Sequence, residues 1–489
     1  MYLAHRTEEG REQPLLDHLK GTAKLASAFA AAFGEEKLAY VLGMAHDIGK
    51  YSDAFQRYLR ANGQGSRVDH ATAGAKVLMR RGMLAAAFCA AGHHTGLPDG
   101  GARGDLPDSG TILPDAANCT TSPKASSFLT RPRCSRCRTC VRAIGELVQR
   151  HHLTAVLCTA TQPALEPYFV EIGVQARKIC PGTEALYRFF RRTTLSYIGP
   201  CTRQMLARKM EAQSQALAIV ATRKQAAALF SMLPEEGRFH LSTLMAPVYR
   251  TRILETIRSR LKEEKPCRVA ATSLVEAGVD VDFPLVFRAE AGLDSIIQAA
   301  GLCNREGKRA AADSMVYIYR PEEPPPMLVK QQVELFREMR ERFADLAAPE
   351  AIHAYFDAVH ALGEQSGQLD SKQILRAFDR GRNGSQLPFA QVAQDFKLIE
   401  TETRSVLIPL EEEAANLAQA LRSGACSRGV FRRIGAYTVS VYPQHFQALV
   451  AAGDVEVVAD GFGVLVNDSL YSEDTGLSLQ SDEGKAIFV

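Results

Sequence analysis

The sequence predicts a multidomain protein in which an all-α domain is followed by an α/β domain and then by an α+β domain. Three observations lead to this prediction. Apolar residues recur three and four positions apart through the first hundred residues, short apolar strands alternate with helices from about residue 141, and strand-rich stretches lie near the C-terminus. Such alternation is typical of a parallel sheet covered on both faces. With 489 residues, 46% of them hydrophobic, the chain can build several cores.

The first hundred residues are predicted to be entirely helical. Helices are expected over 14–33 and 36–45, from near His70 onward, and over "MLAAAFCAAGHHTGL", which begins at Met83. The following stretch "PDGGARGDLPDSG" is rich in turn residues, and 111–140 has neither helical nor strand periodicity. We therefore place a first domain at 1–104 and an irregular junction at 105–140.

Strands and helices are expected to alternate beyond the junction. A helix is predicted for "VRAIGELVQRHH" from Val141, strands at 153–158, 216–221, 239–242, 268–272, 285–287 and 315–320, and helices at 223–233, 249–262 and 293–301. The run "PEEPPP" ends this region, and a charged amphipathic helical segment follows it. The resulting boundaries are 141–200, 201–325, 326–365 for the helical linker, and 366–489 for the C-terminal domain.

Composition places few limits on partners. The net charge is +3 and the pI is near 8.2, values that neither require nor exclude a nucleic acid. No run of eighteen apolar residues occurs and the N-terminus is too polar for a signal peptide, so we expect a cytoplasmic protein without membrane contact. The eleven cysteines lie mostly in apolar runs, as reduced thiols do.

Histidines are concentrated in the N-terminal domain. His18, the His46-Asp47 pair, His70 and the His93-His94 pair contain five of the chain's twelve histidines. Imidazoles and a carboxylate in helices of one small domain are the ligands of a divalent-metal site, and two ions sharing a carboxylate can activate water for phosphodiester cleavage. The alternative is that each histidine is a structural residue. Lys50, one turn beyond the pair, is a candidate contact for a phosphate.

The order "DH", "HDIGKYSDAFQ", "VDHATAGA" and "GHHTGL" resembles the HD nuclease domain of the CRISPR-associated helicase-nuclease of type I systems. Downstream, "VLCTATQPAL" resembles its helicase motif III, "ATSLVEAGVDVDF" its motif V and "QAAGLCNREG" its motif VI. "HLSTLMAPVYR" and "LIETETRSVLIPL" extend the likeness. The resemblance implies an all-α HD domain, an α/β RecA-like helicase region with an incomplete first lobe and an intact second lobe, and an α+β C-terminal domain.

The resemblance also implies a function and a set of site residues. It implies a metal-dependent deoxyribonuclease that cuts single-stranded DNA in antiviral defence, recruited by the Cascade surveillance complex. Two ions of Mn, Co, Ni or Fe would be bound by His18, His46, Asp47, His70, His93 and His94. Asp115 in "LPDAAN" would be a further carboxylate ligand. The catalytic residues would be His46, Asp47 and Lys50. ATP and Mg²⁺ would be expected near Asp280, Gln298 and Arg305, and the protein is expected to be a monomer.

Several features depart from the family pattern. No G-x-x-x-x-G-K-[ST] loop and no DEAH or DEAD box occurs, and about forty residues between the HD domain and motif III are too few for a lobe of roughly 100–200 residues. In motif VI, Leu302 replaces the first arginine and leaves Arg305 as the only guanidinium available to a γ-phosphate. In "HLSTLMAPVYR", Tyr249 stands where the family usually has histidine. Residues 141–200 are therefore interpreted as a remnant of the first lobe, and the sequence predicts a chain that does not hydrolyse ATP.

Two other functions fit the same residues. The chain could be an HD phosphohydrolase that acts on nucleotides, or a decayed, non-catalytic remnant that binds DNA or Cascade. Cys134, Cys137 and Cys140 form C-x-x-C-x-x-C, but a zinc site needs four ligands and only His151-His152 lies nearby. A non-native stretch left by a deletion is the alternative interpretation.

Overall fold

The structure is a computed structural model that describes residues 2–6, 12–31, 34–61, 68, 70–93, 137–156, 164–177, 179, 183–276, 279–367, 370–382, 388–396, 403–423, 428–459 and 461–479. The chain divides into two compact units. The first consists of Met1–Cys158, Leu165–Arg177 and Gly363–Leu398, and the second of Thr159–Ala164, Lys178–Leu362 and Ile399–Val489. The finer domain boundaries given above remain predictions.

The chain begins with a hairpin of two strands, β1 (Leu3–Arg6) and β2 (Glu12–Pro14). Helices follow as α1 (Leu15–Ala30), α2 (Glu36–Ala45), α3 (Asp53–Arg60), α4 (Ala71–Arg80) and α5 (Leu84–Gly92), and a 3-10 turn, Ile48–Tyr51, lies between α2 and α3. Further along come α6 (Cys137–His151), α7 (Glu166–Glu171) and α8 (Thr183–Phe189).

Strands and helices then alternate as β3 (Thr194–Pro200), α9 (Arg203–Glu211), β4 (Gln215–Ile219), α10 (Arg223–Met232), β5 (Arg238–Leu241), α11 (Pro247–Lys262), β6 (Cys267–Ala271), β7 (Leu285–Ala289), α12 (Leu293–Ala300) and β8 (Met315–Arg320). The remaining elements are α13 (Met327–Arg342), α14 (Pro349–Gln365), α15 (Ile374–Arg382), α16 (Phe389–Asp395), β9 (Arg404–Leu407), α17 (Glu412–Arg422), α18 (Arg428–Ile434), β10 (Thr438–Val441), α19 (Pro443–Ala451), β11 (Val455–Ala459), β12 (Phe462–Leu465), β13 (Tyr471–Ser472) and β14 (Gly476–Leu477).

Small residues bring the helices of the first unit close together. α1 packs on α2, and α4 on α5. The core under α2, α4 and α5 is built largely from alanines. Gly43 in α2 lies so close to α1 that a Cβ there would be 2.5 Å from the Cα of Ala23. This close approach brings the end of α2 near the beginning of α1, where two of the candidate ligands lie.

Two predictions for the first unit were wrong in detail. The N-terminal domain is not entirely helical, because β1 and β2 pair antiparallel before α1 begins. The strand predicted at 153–158 is absent from its described part, 153–156, where Leu153 and Val156 are 45% and 64% exposed. An apolar run becomes a strand only where a neighbouring strand pairs with its backbone, and the described structure provides none there.

The second unit confirms the predicted parallel sheet. Six strands in the order β3-β8-β7-β4-β6-β5 pair in parallel throughout. All five residues of the central strand β4 are buried, since helices cover both faces of a sheet built by β-α-β crossovers. α10 begins with a capping box in which Thr222 and Gln225 satisfy the free N–H groups of its first turn.

The C-terminal part is α+β, as predicted. Its sheet has the order β10-β9-β12-β11, with β9 and β12 parallel and the other pairs antiparallel. α17 and α19 pack against this sheet through apolar side chains. Among the residues that the structure describes, no helix is both long and apolar enough to cross a membrane.

Candidate metal centre

The carboxylate of Asp47 lies at the centre of the histidine cluster. α2 ends at Ala45 and its hydrogen bonding continues through the N–H of His46 to the carbonyl of Leu42. Asp47 follows immediately, where the chain enters the 3-10 turn, and it is only 2% exposed. Because the helix ends here, the side chains of His46 and Asp47 point toward the same part of the interior.

Four imidazoles contact this carboxylate, two on each oxygen. Nε2 of His18 lies 3.0 Å and Nε2 of His46 lies 3.3 Å from Oδ2 of Asp47. Nε2 of His70 lies 3.3 Å and Nε2 of His93 lies 3.2 Å from Oδ1. The ligand atoms therefore form two groups that share one carboxylate, and each group offers three atoms to an ion.

Backbone carbonyls orient three of the rings. Nδ1 of His46 lies 2.8 Å from the carbonyl oxygen of Gly43, Nδ1 of His93 lies 2.6 Å from that of Ala90, and Nδ1 of His70 lies 3.3 Å from that of Val68. A carbonyl can only accept, so Nδ1 carries the proton in each ring and Nε2 of the neutral ring presents a lone pair.

Lone pairs on Nε2 therefore face the lone pairs of a carboxylate. Two acceptors at hydrogen-bond distance repel each other unless a proton or a cation lies between them. Neutral imidazoles with Nδ1 bonded to a carbonyl and a shared carboxylate form a donor set that suits divalent transition metals. The residues present thus fit divalent transition metals, and they would hold such ions in two groups of ligands that have Asp47 in common.

Lys50 is part of the same buried group. Its Nζ lies 2.8 Å from Oδ2 of Asp47, and both side chains are 4% exposed. The ammonium group also contacts the carbonyl of Ala4 at 3.4 Å and the ring face of Phe55. The side chain thus lies beneath the carboxylate, on the side away from solvent, and compensates its charge in the low-dielectric interior.

The electrostatics favour an ionised carboxylate at Asp47 and neutral rings at His18 and His70. Burial alone would raise the pKa of Asp47, but hydrogen bonds from Lys50 and from the protonated forms of His46 and His93 outweigh it and hold this pKa well below its usual range. Burial lowers the pKa of His18 and of His70. The hydrogen bond to Asp47 raises the pKa of His93. An ionised carboxylate and neutral imidazoles are the forms that bind metal.

Gly49 lets the 3-10 turn approach the start of α4. A Cβ at this position would lie 2.3 Å from the carbonyl oxygen and 2.6 Å from the Cα of His70, distances at which the backbone would have to move. Only glycine permits this approach. His70 is thereby positioned directly beside the turn that carries Lys50.

The structure brings together six of the predicted residues: His18, His46, Asp47, Lys50, His70 and His93. His94 and Asp115, the other two predicted ligands, lie outside the described residues, as do Cys134 and the side chain of Cys137. Cys140 is half-buried in α6. The roles assigned to all of these residues remain predictions.

The three residues predicted near ATP belong to the second unit. Nε of Arg305 lies 2.7 Å from Oδ1 of Asp280, so the guanidinium is already paired with a carboxylate. Gln298 is half-buried in α12. Leu302 and Tyr249 are 2% and 1% exposed, and both pack in apolar cores.

His5 was missed in the sequence analysis. It lies in β1, and its ring meets that of His18 edge to face with the centroids 5.0 Å apart. A lone histidine in a polar stretch has no spacing that links it to the other histidines. The hairpin that carries it was itself not predicted.

Comparison with known proteins agrees with this geometry. A family profile described as the HD domain matches residues 15–143, and one described as the C-terminal part of the CRISPR-associated nuclease/helicase Cas3 matches residues 212–308. The two matches support a Cas3-type protein with an HD domain. The CRISPR-associated nuclease/helicase Cas3 of Haloferax volcanii is 28% identical over 172 residues, which cover 29% of this chain and 18% of that protein.

Solved structures of Cas3 proteins are also similar to the chain. Cas3 of T. fusca with AMPPNP is 15% identical, and the match covers 73% of this chain and 53% of that one with a TM-score of 0.49. A second structure, described as a CRISPR-associated protein, is 14% identical, with 70% and 49% covered and a TM-score of 0.46. The chain thus spans about half the length of these proteins.

Proposed function

We propose that this Cas3-type protein is a metal-dependent HD nuclease that cuts single-stranded DNA in CRISPR type I defence. One observation carries the proposal, namely the four Nε2 atoms that divide two and two over the oxygens of Asp47. Two divalent ions held by these residues would polarise a phosphodiester and make water a nucleophile at neutral pH. Mn, Co, Ni or Fe suits a set of four imidazoles better than Mg²⁺, which prefers oxygen ligands.

The protein's own residues supply position and charge. His18 and His46 define one half of the centre, His70 and His93 the other, and Asp47 bridges the two halves. Lys50 keeps the bridging carboxylate ionised by compensating its charge from the buried side. The four rings are between 14% and 20% exposed, so one face of the cluster is open to a substrate phosphate.

We further propose that the chain does not hydrolyse ATP. Its sequence lacks a phosphate-binding loop ending in Gly-Lys-Ser/Thr, and the guanidinium of Arg305 is paired with Asp280. The second RecA-like lobe and the C-terminal domain are then candidates for contacts with DNA and with a Cascade complex. One similar structure, at a TM-score of 0.38, is described as a CRISPR RNA-guided surveillance complex in a pre-nicking state.

The test is a cleavage assay on labelled single-stranded DNA with Mn²⁺, Co²⁺ or Ni²⁺, and with EDTA. Asp47→Asn keeps the shape of the side chain and removes its charge, so we expect the cleavage rate to fall at least 100-fold. Asp53→Asn is the matched control, because Asp53 is exposed at the start of α3 and should leave the rate unchanged.

Other outcomes would support the alternative functions. Faster turnover of nucleoside monophosphates than of single-stranded DNA would identify a nucleotide phosphohydrolase. Binding of DNA without turnover of either substrate, under any of the three metals, would identify a non-catalytic remnant. ATP hydrolysis stimulated by single-stranded DNA would contradict the proposal that the motor is incomplete.

A further inference from the structure

His18 is held differently from the other three rings of the cluster. His46, His70 and His93 each bond a backbone carbonyl through Nδ1. Within the described part of the chain, Nδ1 of His18 has no hydrogen-bond partner, and only its Nε2 is bonded, to Asp47. A ligand ring normally needs a second contact to fix its orientation, and loss of that contact typically costs 10–100-fold in metal affinity.

The ring of His5 supplies a second contact for His18. The two centroids are 5.0 Å apart and the ring planes are 80° apart, which is the edge-to-face arrangement that aromatic rings prefer. The other neighbouring ring, that of His46, is tilted by 51° at 5.3 Å and is itself a candidate ligand. His5 is therefore the neighbouring ring that can orient His18 without belonging to either group of ligands.

The strand that carries His5 is firmly anchored. Leu3 and Ala4 are 3% and 1% exposed. The side-chain amide of Gln56 bonds both the N–H and the carbonyl of Leu3, at 2.9 and 2.8 Å. The carbonyl of Ala4 contacts Nζ of Lys50. Both neighbours of the bridging carboxylate, the lysine beneath it and His18 beside it, are thus contacted by this one strand.

We propose that His5 is a positioning residue for His18 and thereby for the ion on the Oδ2 side of Asp47. The inference rests on the proposed metal centre but not on the identity of the substrate. The N-terminal hairpin is then a functional part of the centre, although it precedes the residues that the HD-domain profile matches. Loss of the His5 ring weakens the Oδ2-side site and leaves the Oδ1-side site, built by His70 and His93, unchanged.

Replacing His5 with phenylalanine distinguishes orientation of the His18 ring from direct binding of a metal or phosphate by His5. Phenylalanine keeps the edge-to-face contact but has no nitrogen to bind a metal or a phosphate. We therefore expect His5→Phe to behave like the unsubstituted protein and His5→Ala to be defective. His353→Ala is the matched control, since His353 is an exposed histidine of the second unit.

The experiment is a Mn²⁺ titration of the full chain followed by electron paramagnetic resonance. We expect two sites in the unsubstituted protein, at least tenfold weaker binding at one site in His5→Ala, and both affinities within twofold in His5→Phe. In a His70→Ala background, which retains the Oδ2-side site, His5→Ala should weaken the remaining ion, whereas in a His46→Ala background it should change nothing.

Three results would overturn the proposal. They are equal defects in His5→Phe and His5→Ala, unchanged Mn²⁺ affinities in His5→Ala, and equal weakening of both sites with the fold intact by circular dichroism. The titration contains no DNA. A metal-loaded protein that cuts no DNA would therefore contradict the proposed nuclease function while leaving this inference standing.

Discussion

Replacing Lys50 with methionine should destabilise the first unit strongly when no metal is present. The ammonium lies 2.8 Å from Oδ2 of Asp47, and both side chains are 4% exposed. Methionine has a similar length and no charge, so the substitution leaves a buried carboxylate without its cation. Removing one partner of a buried ion pair costs about 3–5 kcal/mol.

This loss of stability can be measured as a decrease in melting temperature. For a domain of this size, about 3 kcal/mol corresponds to a decrease in Tm of roughly 6–12 °C. Divalent ions would compensate the carboxylate in place of the ammonium. At a metal concentration of about 100 Kd, binding stabilises the folded state by about 2.7 kcal/mol, so Mn²⁺ should bring the Tm of Lys50→Met close to that of the metal-free unsubstituted protein.

The assay is differential scanning calorimetry of the full chain with EDTA and with Mn²⁺. Lys24→Met is the matched control, because Lys24 is exposed in α1 and should leave the Tm of the first unit nearly unchanged. The reasoning is refuted if Lys50→Met melts as the unsubstituted protein does in EDTA, or if Mn²⁺ does not raise the Tm of the variant.

Three more predictions concern glycine packing and pH. Gly49→Ala should abolish binding of one Mn²⁺ by displacing His70, which a metal titration checks. Gly21→Ala in α1, where nothing lies within 4 Å of the added Cβ, should instead raise the free energy of unfolding by about 0.5–1 kcal/mol, which urea unfolding checks. Because the pKa of His93 is raised, metal binding should release a proton and weaken as pH falls through that pKa, which calorimetry in two buffers would detect. Burial lowers the pKa of His240 to about 4, so the neutral ring stabilises the fold fully above pH 6.5. As pH falls toward 4, up to about 3 kcal/mol of this stability is lost. His240→Leu should flatten this pH dependence of the free energy of unfolding, measured in urea, and an unchanged slope would contradict the prediction.

Residue type and order were enough to predict the histidine cluster, but not its internal geometry. The series His18, His46-Asp47, His70 and His93 identified the residues that the structure brings together. Their division over the two oxygens of Asp47 depends on the angles between helices, which are set by close approaches such as that of Gly49 to His70.

The contribution of the hairpin illustrates what local pattern cannot predict. β1 and β2 are short, and their stability depends on their pairing with each other and on contacts with residues distant in sequence, such as the bonds from Gln56. No periodicity links His5 to His18. The segment 153–156 shows the converse, because its apolar residues resembled a strand while the described structure gives it no neighbouring strand. The parallel sheet of the second unit was predictable because continuous apolar strands alternating with helices have few other solutions.

The most direct test of the metal centre is a crystal structure of the full chain grown with Mn²⁺ and recorded with anomalous scattering. We predict two peaks about 3.5–4 Å apart, one between His18, His46 and Oδ2 of Asp47, and the other between His70, His93 and Oδ1. A single peak, a peak away from these histidines, or no peak under conditions that saturate binding would contradict the two-ion centre bridged by Asp47.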